Sequence, residues 1–276
     1  MKALNALPRW VLLLLAALLL PACSTLVPAP APLIPAPSAA TALAAWAQVL
    51  QRFVNDRGEV DFQALAATPA DLEIYVRHVA DTPLEAIPEG QARLAHMINA
   101  YNALSMFNVL QSGIPATHAG FAKVTFFVIR KLEVGGQRMS LRSFENDVIR
   151  PYSREARDAR NSNDPRIHFA LNCSALSCPV LPRTPFSAAA LDAELERETR
   201  AFFACSENFR VDAASRTVWL SELLDFYPED FVPGAASSLL VYANRYAPAR
   251  APPDYSVRFT PYDWTIANSR RAGRAP

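Results

Sequence analysis

Residues 164–179 read DPRIHFALNCSALSCP and gather one histidine and two of the chain's four cysteines. Asp164-Pro165 predicts a turn, because proline fixes its own φ and pushes the residue before it out of the helical region. The apolar run 167–171 then predicts a short buried strand. On it His168, Ala170 and Asn172 share one face and Ile167, Phe169 and Leu171 the other. Cys178, just before Pro179 in the following loop, is placed where a thiol can turn back toward the imidazole. Cys173 falls on the opposite face if the strand persists.

Working outward, 276 residues with 27 Lys+Arg against 26 Asp+Glu leave a formal net charge of +1. That balance gives no basic footprint for nucleic acid, and the length leaves ample room for one large core. At the N-terminus Lys2 and Arg9 precede the apolar run 11–20, which is too short to span a bilayer and has the form of a secretory signal. The word Leu20-Pro21-Ala22-Cys23 resembles the bacterial lipobox, with Pro21 where a small or short aliphatic residue is usual. It implies lipidation of Cys23, with Ser24 pointing to the outer membrane, facing the periplasm. Ordinary cleavage and a soluble periplasmic protein is the alternative. The expected organisation is a signal peptide at 1–22, lipidated Cys23 with a Pro/Ala-rich spacer at 23–41, one globular domain at 42–268 and a basic, frayed tail at 269–276.

Within the domain, apolar spacing predicts helices over 41–54, 70–79, 89–110, 187–204 and 232–246. A short helix at 140–150 ends at Pro151. The β-branched and aromatic run 123–134 predicts a strand entering the Gly135-Gly136 turn. Segments 209–211 and 217–220 form a hairpin, and 255–260 a last strand. Asn99 and Asn102 lie three apart on one helical face, either tying loop backbone to the helix or lining a polar pocket. The expected class is α+β: a mostly helical single domain with a small mixed or antiparallel sheet containing 123–134 and 166–172, cysteine-protease-like by analogy.

Five words, GEVDFQAL at 58–65, LAHMINAYNAL at 94–104, MSLRSFENDVIR at 139–150, DPRIHFALNCSALSCPVL at 164–181 and YDWTIAN at 262–268, resemble the domain-of-unknown-function 547 family over residues 46–268. Where that family usually has an aromatic pair before the Ile-Asn, this chain has His96 and Met97. The resemblance implies functional positions at Asn99, Asn102, Glu145, His168, Cys173 and Cys178, and a similarity to thiol-dependent hydrolases; the family's activity is unassigned.

The chemistry these residue types support first is nucleophilic catalysis by a thiol, as hydrolysis or acyl transfer at an amide. Cys178 is the nucleophile, His168 its base and Glu145 the group that orients the ring. Cys173 is the alternative nucleophile, and Asn99 or Asn102 the oxyanion donor. The competing expectation is a structural Cys173–Cys178 disulfide in a noncatalytic envelope scaffold or binding module, leaving Cys205 a small buried hydrophobe. Zinc on His168, Cys173 and Cys178 is a weaker third, because the spacing is wide and a fourth ligand is not evident. No cofactor is expected. The membrane, through the lipid anchor, is the one partner implied; no nucleic acid is, and no protein partner is named.

Overall fold

The computed structural model describes residues 25–156 and 163–271. The expected signal segment, the expected lipidation site Cys23, Ser24, the connection 157–162 and the tail beyond Arg271 lie outside the described residues. Among the described residues no helix is long and apolar enough to cross a membrane.

The Gln91–Gln111 helix is the axis of the molecule: 15 of its residues are buried, on every side. A helix apolar all round belongs in the centre of a core. Three asparagines interrupt it, and each satisfies its buried amide by gripping another segment. Asn99 accepts from Phe186 N–H at 2.9 Å and donates to its carbonyl at 2.8 Å. Asn102 donates to the Ala170 carbonyl at 3.0 Å and accepts from Asn172 N–H at 2.7 Å. Asn108 donates to the Phe126 carbonyl at 3.1 Å.

Around this axis lie two apolar cores. The larger joins the helices Ala39–Phe53, Ala70–Asp81 and Gln91–Gln111. The smaller is aromatic and holds Phe169, Phe202, Phe203, Phe231 and Tyr242 over the C-terminal sheet. Residues 164–179 run along their boundary, with Ile167 and Leu171 in the first core and Phe169, Cys173 and Cys178 in the second.

The class is α+β with small sheets, but the sheets are built from other segments than expected. β1 (Leu132–Val134) and β2 (Gln137–Met139) form an antiparallel hairpin around Gly135-Gly136, both at positive φ. β3 (Phe209–Asp212) pairs antiparallel with β4 (Thr217–Ser221), which pairs parallel with β5 (Ser256–Thr260). The strand expected at 166–172 is instead a 3₁₀ helix, Pro165–Phe169. Asp164 accepts from Arg166 N–H at 3.1 Å and Pro165 occupies the first turn, a helix-start pair that outweighs the short apolar run. Most of 123–134 is also helical, with Phe121–Val124 running into a wide π turn, Thr125–Ile129. Contact with the central helix overrides β propensity there.

Pro151 does not stop its helix. Arg150 N–H reaches back to the Glu145 carbonyl across a second π turn, Phe144–Ile149. Pro151 then sits in the first turn of the Arg150–Ala156 helix, where its missing N–H costs nothing. The helix expected over 232–246 shrinks to Leu239–Ala243.

The ends of the described residues are tied in more than composition suggests. Part of the Pro/Ala spacer lies against the domain: Val27 is buried, its N–H bonds the Lys131 carbonyl at 2.8 Å, and Lys131 N–H bonds the Thr25 carbonyl at 3.1 Å. Arg270 and Arg271, expected to fray, pair with Asp61 and Glu59. Between them Val60 N–H bonds the Ala267 carbonyl and Ser269 N–H the Val60 carbonyl, each at 2.9 Å. Gly58, at φ +75°, lets this segment press on the 180–181 loop, where a Cβ would lie 2.5 Å from Leu181 N.

Candidate functional site

The two π turns frame one wall of a cleft. Such turns carry an extra residue and swing side chains off the regular helical face. The first presents Phe127 and Val128, the second Glu145. Phe226, Tyr227 and Trp264 form the other wall. The outer chamber has a volume of about 300 Å³ and carries Lys123 and Arg142 on its rim. An inner chamber of about 70 Å³ continues to Tyr101, His168, Cys173 and Tyr262, and Glu145 lines both. The Lys123 ammonium lies 4.1 Å from the Trp264 ring centre and 5.3 Å from that of Phe226, a cation held over π faces at the mouth.

Glu145 is buried, and the Tyr101 hydroxyl donates to its Oε2 at 3.0 Å. Burial, reinforced by the Glu145 charge, pushes the phenols of Tyr101, Tyr227 and Tyr262 up, so all three stay protonated donors. His168 is held from one side. Its Nε2 lies 2.7 Å from Oδ2 of Asp230, and its ring stacks on Tyr227 with centroids 4.7 Å apart. Nε2–H donates to the carboxylate, and among the described residues no hydrogen bond reaches Nδ1. Asp230 also accepts from Arg150 Nε and Asn163 Nδ2, each at 2.7 Å. Burial would raise its pKa, yet the bonds and charges of His168 and Arg150 hold its carboxyl well below the usual carboxylate range.

The expected free thiol at Cys178 is corrected. Cys173 and Cys178 form a disulfide, with Cα atoms 6.1 Å apart, so neither sulfur is a nucleophile in this form. Zinc loses both sulfur ligands for the same reason, and among the described residues no group of three or more His, Cys, Asp and Glu could hold a metal. The Cys178 sulfur accepts from Cys173 N–H at 3.1 Å, Ala175 N–H at 3.3 Å and the Tyr262 hydroxyl at 3.2 Å. It is Cys173 that borders the inner chamber. The preference for Cys178 rested on strand parity, and the 3₁₀ helix removes that parity.

Cys205 is exposed rather than buried, at the C-terminal cap of the Leu191–Ala204 helix. Its thiol is pushed up by burial of part of the side chain and by its bond to Glu207. Titration of the native protein with a disulfide reagent is therefore expected to find one slow thiol among residues 25–271, abolished by Cys205→Ser. A thiol at Cys173 or Cys178 without added reductant contradicts the bridge.

Of the expected site residues, then, Glu145, His168 and Cys173 meet at the cleft and Cys178 lies behind it. Asn99 and Asn102 act as the backbone ties described above, and neither lines the cleft. Asp230, Tyr227, Tyr101, Lys123 and Arg142 were missed. The words DFYPED at 225–230 and YDW at 262–264 bring carboxylates and aromatic rings together, and were the available signal.

Two further imidazoles bear on pH. His118 is buried, with Nε2 3.2 Å from the Cys173 carbonyl; burial, partly offset by that bond, pulls its pKa down to about 4. Burial and the nearby His78 pull His96 down to about 4, and its Nε2 has no partner. Both folded-state values lie below the unfolded value of 6.5, so the unfolded chain binds more protons between the two. Stability is expected to fall as pH drops from about 6.5 to about 4, by at most about 3 kcal/mol per ring. Urea denaturation across that window checks this, and His96→Phe should flatten part of the slope.

Residues 86–203 match the family described as protein of unknown function, DUF547. That span holds Glu145, His168 and both bridged cysteines, whereas Asp230, Tyr262 and Trp264 lie beyond it. No curated protein and no solved structure matches the chain.

Proposed function

We propose that this protein is a cell-envelope binding protein for a small anionic ligand with a ring or flat apolar face, and that the ligand's buried end meets proton-transfer groups. The observation that carries this is a single cleft with aromatic walls, two cations at its mouth, and a buried carboxylate with a carboxylate-held histidine at its depth. Aromatic faces favour ring-bearing ligands, and Lys123 and Arg142 favour negative charge. His168 would exchange a proton with the ligand through Nδ1, and the Tyr101 hydroxyl beside Glu145 would hydrogen-bond what lies opposite. The Cys173–Cys178 bridge stands as the structural wall of the inner chamber. We place the protein on the periplasmic side of the outer membrane, tethered by lipid on Cys23; that part rests on the lipobox resemblance alone.

The probe is 1-anilinonaphthalene-8-sulfonate, an anionic aromatic dye. One saturable site is expected, weakened about tenfold or more in Trp264→Ala and in Lys123→Glu, since each removes a contact of roughly 1–2 kcal/mol. Equal affinity in all three proteins would sink the reading.

A second reading is favoured by Cys173 alone, which borders the chamber beside His168 and Glu145. After reduction its thiol would be the nucleophile of an acyl transfer. Alkylation of Cys173 only in reduced protein, slowed in His168→Ala, is its signature; equal rates in the two proteins remove it.

A further inference from the structure

The helical run 121–129 exposes Phe121 (75%), Val124 (44%) and Val128 (37%). They stand three and four residues apart, so they form one apolar stripe. A phenylalanine three-quarters exposed at the head of such a stripe marks a contact surface. Val124 and Val128 also line the outer chamber, so the stripe lies at the mouth of the cleft.

Two observations identify what covers it. The first is charge: Lys123 projects from the same turn, Arg142 stands across the mouth, and Lys131 follows two residues after the run. Apolar residues flanked by cations are the composition of an element that lies in the interface of an anionic bilayer. The second is the tether. The Thr25 carbonyl accepts from Lys131 N–H at 3.1 Å, which fixes the N-terminal end of the described chain beside the end of the stripe. Cys23 stands two residues before Thr25, and two residues span at most about 7 Å. A lipid on Cys23 would bring that edge of the domain to the headgroups.

We infer that run 121–129 is a membrane-docking face for an anionic phospholipid surface, holding the domain with its cleft mouth turned toward the bilayer. This rests on the lipid-anchor reading above. Phe121, Val124 and Val128 enter the headgroup region while Lys123 and Lys131 meet phosphates.

The test uses the full chain as exported, on vesicles of phosphatidylglycerol with phosphatidylcholine. Flotation reports the anchor, and amide hydrogen exchange over 121–129 reports the face. Exchange is expected to slow about tenfold on these vesicles relative to vesicle-free protein. The slowing should vanish in Phe121→Glu, whose side chain is not part of the cleft lining and which still floats, keeps its exchange elsewhere and still binds the dye. Protein that floats without slowed exchange overturns the docking face and leaves the anchor standing. Protein that does not float overturns both. Protection already present without vesicles, as an uncleaved leader lying on the stripe would give, also overturns it. Dye binding without vesicles separates failure of the ligand reading from failure of this one.

Discussion

Asp230→Ala is expected to destabilise the protein by about 3–5 kcal/mol, the cost of removing one partner from a buried charge cluster. The carboxylate is 3% exposed and serves His168, Arg150 and Asn163 at once. Truncation leaves the Arg150 guanidinium with Glu229, Asn146 and the face of Tyr227, and leaves Nε2–H of His168 without its carboxylate acceptor. The dominant cost is the unpaired buried donors, not a lost attraction. Asp230→Asn keeps an acceptor and should cost less, about 1–3 kcal/mol. Because the folded carboxyl lies below its unfolded value, its stabilisation is present above the ordinary carboxylate range and disappears only as pH falls below it. Wild type and Asp230→Ala should therefore converge in strong acid. Chemical denaturation at neutral pH and in acid checks both points, and equal stability at neutral pH would contradict the cluster's role.

Asn102→Leu is the second large effect, at roughly 2–6 kcal/mol, because two buried backbone groups lose their partners at about 1–3 kcal/mol each. The side chain is 2% exposed and ties Ala170 and Asn172 to the central helix. Asn172 passes the connection on, accepting from Ser174 N–H at 2.8 Å and donating to the Pro179 carbonyl at 2.7 Å. The Cys173–Cys178 loop is therefore hung from the helix through these amides. The midpoint of urea unfolding should fall with its slope unchanged, which separates a lost tie from a changed unfolded state. Greater susceptibility of the disulfide to reductant in the native protein is expected with it. An unfolding free energy within about 0.5 kcal/mol of wild type would show that the tie carries little.

These two residues also show how far the sequence could be read. Asn102 was legible as a buried amide in an apolar helix, and tying loop backbone was one of its two expected roles. The hairpin at 209–221 and the stripe of Leu191, Leu195, Phe202 and Phe203 were legible as well, since each rests on periodicity within one segment. His168 was legible as a site residue but not as to its partner, because Asp230 lies 62 positions away and no local pattern joins them. The 166–172 strand failed for a different reason. Four apolar residues around one histidine fit a strand or a helical turn equally well, and the Asp-Pro pair that decides the matter reads by itself only as a turn. The π turns that carry Phe127 and Glu145 into the cleft have no sequence signature, since they depend on what the neighbouring helix demands. The disulfide was one of two expectations; composition could not choose between a bridge and a nucleophile.

The most direct measurement is a crystal structure of the protein grown with 1-anilinonaphthalene-8-sulfonate. The dye's ring system should lie between Phe127 and Trp264, with the sulfonate toward Lys123 and Arg142 and the far edge toward Glu145. A cleft left empty while the dye binds elsewhere would contradict the account.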